Sequence, residues 1–426
     1  MSDSAPQTTP EEGAPSGLAA RFALYQRAGG VVTPLLTTLV AFLIGGLVVL
    51  FVAGKNPIST YKQIFTGTGL NWLWPWNESS SAGVTQSCSI RDIANSDPTI
   101  QFCASALSLQ QTLIQLTVLI LTALAVAFAF RCGMFNIGGQ GQYIMGLIAA
   151  VQVGIWFPGL PTLVHIVLAA AAATLAGALW GGIAGFLKAT VGAHEVITTI
   201  MLNWTAIFVG VYLIQGPMFD PIAEEAGAPA ITESIADSAK LPVIWGSPLL
   251  QGLHVGLFVA LAALVVYWII LQRTTLGYEV RAVGFNPDAA AYGGISVKRN
   301  YFLAMAISGG FAGLAGAMDT LGWLHTVDET LIQSYSYVAF LGIAVALLGR
   351  NTAVGIFFAA LLFAALTTGT STRNLDPEVF RPELAGNLTE MIQGLVVLFV
   401  GAELLVLAIW NARRKVRAPR KKAETA

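Results

Sequence analysis

Apolar residues in this chain come in long unbroken runs, not in the alternation of a half-buried strand or the three-and-four spacing of a water-facing helix. Ten runs stand out: 31–53, 110–130, 134–157, 159–187, 196–215, 252–271, 302–318, 331–349, 351–370 and 391–410. All but the last lack Asp, Glu, Lys and Arg, and their lengths cluster around the roughly 20 residues that a helix needs to cross a bilayer at about 1.5 Å per residue. The pattern predicts an all-α polytopic membrane protein of about ten transmembrane helices. The weakest run is 331–349, whose first half, LIQSYSY, is polar.

The polar intervals divide the rest. Residues 1–30 read as a largely disordered tail, rich at first in Ser, Thr, Pro, Ala and Glu, without the basic start and short apolar core of a cleaved signal peptide. Two long intervals, 54–109 and 216–251, are expected on the outer side. The first holds Trp72, Trp74 and Trp76, a composition suited to a membrane interface, and the cysteines Cys88 and Cys103. Those two thiols can pair if the segment lies outside, or stay free. The second is acidic through Asp220, Glu224, Glu225, Glu233 and Asp237. Residues 272–301 are polar and basic, and 411–426 form a strongly basic tail.

Charge placement fixes the orientation. With both termini in the cytoplasm, ten crossings leave sixteen of the 22 Lys and Arg residues inside, and nine crossings would strand the basic tail outside, against the positive-inside rule. Composition agrees: 55% of residues are hydrophobic and 11% charged, against about 25% charged in soluble domains, with a net charge of −1 that gives no footprint for nucleic acid. Three cysteines make neither a metal cluster nor a disulfide scaffold, and no metal site is expected.

Within 272–301 a short helix has both ends written in the sequence. Asn286 suits the N-cap, Pro287 the first helical position and Asp288 the positive end of the dipole; Ala289, Ala290, Ala291 and Tyr292 continue it, and Gly293 and Gly294 end it. About two turns long, it is too short to stand alone. A partner docking on it is expected.

Three features could carry chemistry. GMFNIGGQGQ (133–142) sets Asn136, Gln140 and Gln142 among glycines between two apolar runs. Two readings stay open there: a broken or re-entrant helix lining a polar cavity, or a tight cytoplasmic turn. GAHEVITTIMLNW (192–204) places His194 and Glu195 at the start of a span and Asn203 about two turns further in, where a buried amide needs a partner. Asp319 and Glu403 lie in or near spans, and helix-end or snorkelling roles are expected for both. Glycines four apart (Gly177, Gly181 and Gly185; Gly309 and Gly313, with Gly316 nearby) are expected to serve helix packing.

GMFNIGGQGQYIMGLIAA, HEVITTIMLNWTAIF, GYEVRAVGFNPDAAAYGGISVKRNYFLAMAISGGFAGLAGA and GIAVALLGRN together resemble the permease subunits of bacterial ABC importers for branched-chain amino acids, simple sugars and nucleosides. The likeness spans about residues 110–410 and is greatest to the nucleoside and simple-sugar branch. Gln140 stands where that branch usually has Glu, and His194 where it usually has Asn.

The resemblance implies a permease domain over 31–410 in a bacterial plasma membrane, moving nucleosides or a related simple sugar inward. It implies no catalytic residue and no cofactor on this chain, which has no GxxxxGK[ST] phosphate loop; ATP and Mg would sit on a separate ATPase. That ATPase would dock through Arg281, Asn286, Pro287, Asp288, Ala289, Ala290, Tyr292 and Gly293. Further implied partners are a second permease subunit, identical or not, an extracytoplasmic substrate-binding lipoprotein and the lipid bilayer. Phe135, Asn136, Gln140, Asn203 and Trp204 would lie near the path, the rings being suited to stacking on a sugar or base. The rivals are a branched-chain amino acid permease, an ion-coupled secondary transporter and a membrane enzyme, the last disfavoured by four scattered histidines.

Overall fold

The computed structural model describes residues 38–51, 56–73, 104–246, 251–333 and 335–371, with isolated positions besides, mostly between 387 and 398. Cys88, Cys103, Glu403, residues 1–30 and the basic tail lie outside the described residues.

The apolar runs become helices. Thr38–Phe51 is α1. Next come α2 (Pro57–Gly67), α3 (Ala104–Arg131), α4 (Gly139–Trp156), α5 (Thr162–Val191), α6 (Glu195–Gln215) and the short α7 (Pro221–Glu225). After a hairpin of β1 (Val243–Trp245) and β2 (Leu253–His254) follow α8 (Gly256–Arg273), α9 (Thr275–Phe285), α10 (Pro287–Tyr292), α11 (Val297–Asp319), α12 (Glu329–Gln333), α13 (Val338–Leu348) and α14 (Ala353–Gly369).

Among the described residues six helical stretches are long and apolar enough to cross a membrane: Ser105–Arg131, Thr162–Val191, Glu195–Gln215, Gly256–Arg273, Val297–Leu324 and Glu329–Leu348. α1 and α14 are shorter apolar helices, and α4 falls outside the six because Gln140 and Gln142 make its first turn polar. The tenth run, 391–410, lies mostly outside the described residues.

α3 is the central post. It is apolar on every side, and from Leu116 to Ala129 its large side chains are buried, as a helix surrounded by others requires. α8, α11, α13 and α14 pack around it. In lipid, helices gain little from hiding apolar surface and associate instead through close packing and polar contacts. The glycines supply that closeness: Gly177 and Gly181 of α5 lie against Gly309 and Gly313 of α11, and Gly146 of α4 meets Gly313 from another side. A Cβ at Gly309 would overlap the Gly177 carbonyl. α5, α11 and α4 thus form one tightly wedged unit.

Several local features depart from the sequence reading. The 272–301 interval is not a loop around one short helix but two helices, α9 and α10, at one end of the bundle. Thr274 caps α9 by accepting the Gly277 N–H at 3.1 Å. The hairpin adds a little strand to an otherwise helical chain, and α11 ends in a π-helical segment, Thr320–Leu324.

Asp319 does not snorkel. It is fully buried, with Tyr143 Oη donating to Oδ2 at 2.5 Å and Trp323 Nε1 to Oδ1 at 2.8 Å, so it ties α11 to α4. At that end the backbone of 231–241 pairs with the chain following α11, through Thr232 N to Val327 O, Ile235 N to His325 O and Leu241 N to Leu321 O.

Candidate functional site

The helix break between α3 and α4 is shorter than its glycine content suggests. Residues 132–138 are non-helical, whereas Gly139, Gln140, Gly141 and Gln142 already form the first turn of α4. Gly133 makes the break possible with φ +74°, a left-handed conformation that glycine adopts without strain, and it touches the Gly284 backbone of α9. Cys132, Met134, Asn136 and Gly138 of the break are buried and Gly133 is exposed.

A saturated amide node holds it. Asn136 Nδ2 donates to Gln142 Oε1 at 2.8 Å and to Ser308 Oγ at 2.7 Å, while its Oδ1 accepts from Gly138 N at 2.8 Å and from Gln142 Nε2 at 3.1 Å. Ser308 Oγ donates its own hydrogen bond to the Ala125 carbonyl, which links the node to α3. Asn203 reaches in from α6: its Oδ1 accepts from Gly141 N at 2.8 Å and its Nδ2 donates to Ile137 O at 3.0 Å. Three helices therefore meet at the break through side-chain amides.

Beside the node is a cavity of about 480 Å³, lined from α4 by Gln140, from α6 by Asn203, Trp204 and Phe208, and from the α12–α13 stretch by Glu329, Gln333 and Phe340. Gln140 Nε2 donates to Ser336 Oγ at 2.9 Å, and its carbonyl oxygen has no partner among the described residues. Trp204 and Phe208 are both more than half exposed, with ring centroids 6.3 Å apart and planes 25° apart. Glu329 accepts from Gln215 Nε2 at 3.0 Å and from Gln333 Nε2 at 2.5 Å.

Of the five expected path residues, Gln140, Asn203 and Trp204 line this cavity, whereas Asn136 and Phe135 stand behind it. Phe135 packs its ring on Phe130 at 4.9 Å. Glu329, Gln333 and Phe208 are the residues that sequence reasoning missed. For Gln333 the available signal was the polar first half of the 331–349 run; Glu329 lies just before that run and Phe208 within an ordinary apolar span, so neither was marked.

At the other end of the α3–α4 break, α10 forms as its capping pattern predicts. Asn286 Oδ1 accepts from Asp288 N at 3.0 Å and Ala289 N at 3.1 Å, and Ala290 is buried against the bundle. Asp288, Ala289 and Gly293 are exposed; Tyr292 is 97% exposed and Phe285, which sequence reasoning missed, 91%. Arg281 does not join this surface: it turns back along α9 to Gly277 O and Gln272 Oε1. Asn300 ties α11 to α9 by donating to Glu279 Oε2 at 3.0 Å. The acid at the start of α6, Glu195, pairs with Lys188 at the end of α5 at 2.8 Å.

A helical bundle with several helices long and apolar enough to cross a membrane, a helix break and a solute-sized cavity beside it is the architecture of a multi-pass membrane transport protein. The chain belongs to the family of permease components of branched-chain amino acid transport systems, whose model matches residues 108–401. It is 41% identical to the guanosine ABC transporter permease protein NupP of Bacillus subtilis, over 72% of this chain and 84% of that one. The nucleoside ABC transporter permease protein NupB of Lactococcus lactis is 33% identical over 93% of this chain and 98% of its own length. The glucose ABC transporter permease protein TsgB13 of Haloferax volcanii is 32% identical, covering 86% of each chain. No solved structure matches. The chain is a permease subunit of an ABC transporter, a transport component and not an enzyme.

Proposed function

We propose that this permease carries nucleosides inward across a bacterial plasma membrane, powered by a separate ATPase. The observation that supports it most is the cavity: exposed aromatic faces on Trp204 and Phe208 oppose amide and carboxylate groups on Gln140, Gln333 and Glu329, in a volume within the roughly 300–1,000 Å³ of small-molecule sites. Aromatic faces suit a flat base and polar groups suit a sugar. Relatives named for guanosine and nucleoside transport point the same way.

In this reading the α9–α10 end is cytoplasmic, as the basic residues of 272–301 favour, and the hairpin end faces out. The ATPase, which holds ATP and Mg, docks on α10 through Asp288, Ala289 and Tyr292, with Phe285 at the base of the helix. Motion of α9 reaches the break directly, because Gly284 and Gly133 touch with no side chain between them. Gln140 and Asn203 move with the break and reshape the cavity. A second permease subunit completes the path, and a substrate-binding lipoprotein delivers the solute from outside.

The test is radiolabelled uptake in a strain lacking this gene, restored with wild-type or Asp288→Lys protein, across purine and pyrimidine nucleosides, ribose, galactose and leucine. Nucleoside uptake rescued by wild type but not by the charge reversal is expected. Rescue of sugar or leucine uptake instead would refute the substrate, and full rescue by Asp288→Lys would refute the docking surface.

A further inference from the structure

Among the described residues Glu329 is the one carboxylate lining the cavity, and the nucleoside reading counts it only among the polar groups that suit a sugar. It opens the five-residue α12. Amide N–H groups converge on it from two directions: Gln215 at the end of α6 binds Oε2 and Gln333, one turn along α12, binds Oε1. Both ion pairs among the described residues lie elsewhere, at Lys188–Glu195 and Lys240–Asp237, so the described side chains that bond this carboxylate are both amides. Each oxygen accepts one protein hydrogen bond and keeps further acceptor capacity. A carboxylate held in fixed orientation, without a cation, calls for neutral donors from the solute. Two hydroxyls on adjacent carbons can supply them, one to each oxygen.

We propose that Glu329 is the hydroxyl receptor of the cavity, accepting the neighbouring 2′- and 3′-hydroxyls of a ribose while the base lies along Trp204 and Phe208. The assignment rests on the nucleoside reading above and adds a selectivity to it: the permease favours ribonucleosides over their 2′-deoxy counterparts. Gln215 and Gln333 act as positioning residues that hold the carboxylate's two oxygens toward the cavity.

The experiment compares uptake of guanosine and 2′-deoxyguanosine through the complete transporter with its own binding protein, in cells carrying wild-type, Glu329→Gln or Glu329→Asp permease at matched membrane abundance. Because the binding protein is the same in every arm, any change in the ratio belongs to the permease. Wild type is expected to favour guanosine by on the order of ten-fold, the loss of one hydrogen bond to a charged group. Glu329→Gln should bring the guanosine-to-deoxyguanosine uptake ratio down toward one, with a wild-type unfolding midpoint in detergent reporting that the variant is folded. Glu329→Asp, which keeps the charge, should retain part of the preference. A preference that survives in Glu329→Gln, an equal fall for both nucleosides at normal abundance, or no preference in wild type would overturn the proposal while nucleoside transport stands. Failure of wild type to carry either nucleoside would overturn the nucleoside reading and this assignment with it.

Discussion

Replacing Asn136 with alanine removes four hydrogen bonds at once from a fully buried position. Ser308 keeps its bond to the Ala125 carbonyl and loses only an incoming donor. Gly138 N–H and the Gln142 amide, however, are left in the protein interior without partners. A buried polar group left unpaired costs about 1–3 kcal/mol, whereas polar contacts between membrane helices average only about 0.6 kcal/mol each. Two orphaned groups therefore put the loss at about 1–6 kcal/mol, and a fall of about 3 kcal/mol is expected because the break has no helical hydrogen bonds to fall back on. Asn136→Asp should do nearly as much harm. It preserves the acceptor for Gly138 but turns the donor into a second acceptor, facing Gln142 Oε1 and a Ser308 hydroxyl whose proton is already engaged. Thermal unfolding of the purified protein in detergent, with uptake normalised to membrane abundance, tests this. Both variants should unfold several degrees lower, and the uptake they retain should track their abundance. A wild-type unfolding midpoint combined with lost uptake would refute the reasoning, because it would mean that Asn136 meets the solute and not the fold.

Gly309→Val forces a branched side chain onto the Gly177 backbone, so α5 and α11 must separate, at a cost of about 1–3 kcal/mol; detergent thermal stability should fall, whereas substituting open Gly159 should leave it unchanged. Asn286→Ala removes the cap of α10, worth about 1 kcal/mol, and should weaken solute-stimulated ATP hydrolysis by the assembled transporter at unchanged permease abundance. His254 accepts the Gly256 N–H on Nδ1, and burial lowers its pKa from 6.5 to about 4. The unfolded chain therefore takes up this proton more readily than the folded one. The stability is complete above pH 6.5 and is lost as pH falls toward 4, by about 2 kcal/mol near pH 5. Unfolding measured from pH 7.5 to 5 should show this slope, and His254→Asn should flatten it.

Local rules made much of this protein legible from sequence. The bilayer dictates how long an apolar run must be, so α3, α5, α6, α8 and α11 could be placed without knowing their neighbours. α10 was legible because its cap, first-position proline and terminal glycines act within a few residues. Glycines four apart declared a packing face because the helix period alone puts them together, although α5 meeting α11 there was settled by the fold.

What stayed hidden depends on groups far apart in the chain. Asp319 looked like a helix-end acid and became a buried tie because Tyr143, 176 residues away, is brought against it. Asn136 and Gln140 look alike in sequence, yet packing against Ser308 and Gln142 consumes every bond of the first, while the second keeps a carbonyl on the cavity. Gln333 read as part of the polar half of a weak span, and Glu329 drew no notice, until α6 folded beside them. Periodicity and capping are set by neighbouring residues, but whether a polar side chain supports the fold or faces a solute is decided by which distant groups reach it first.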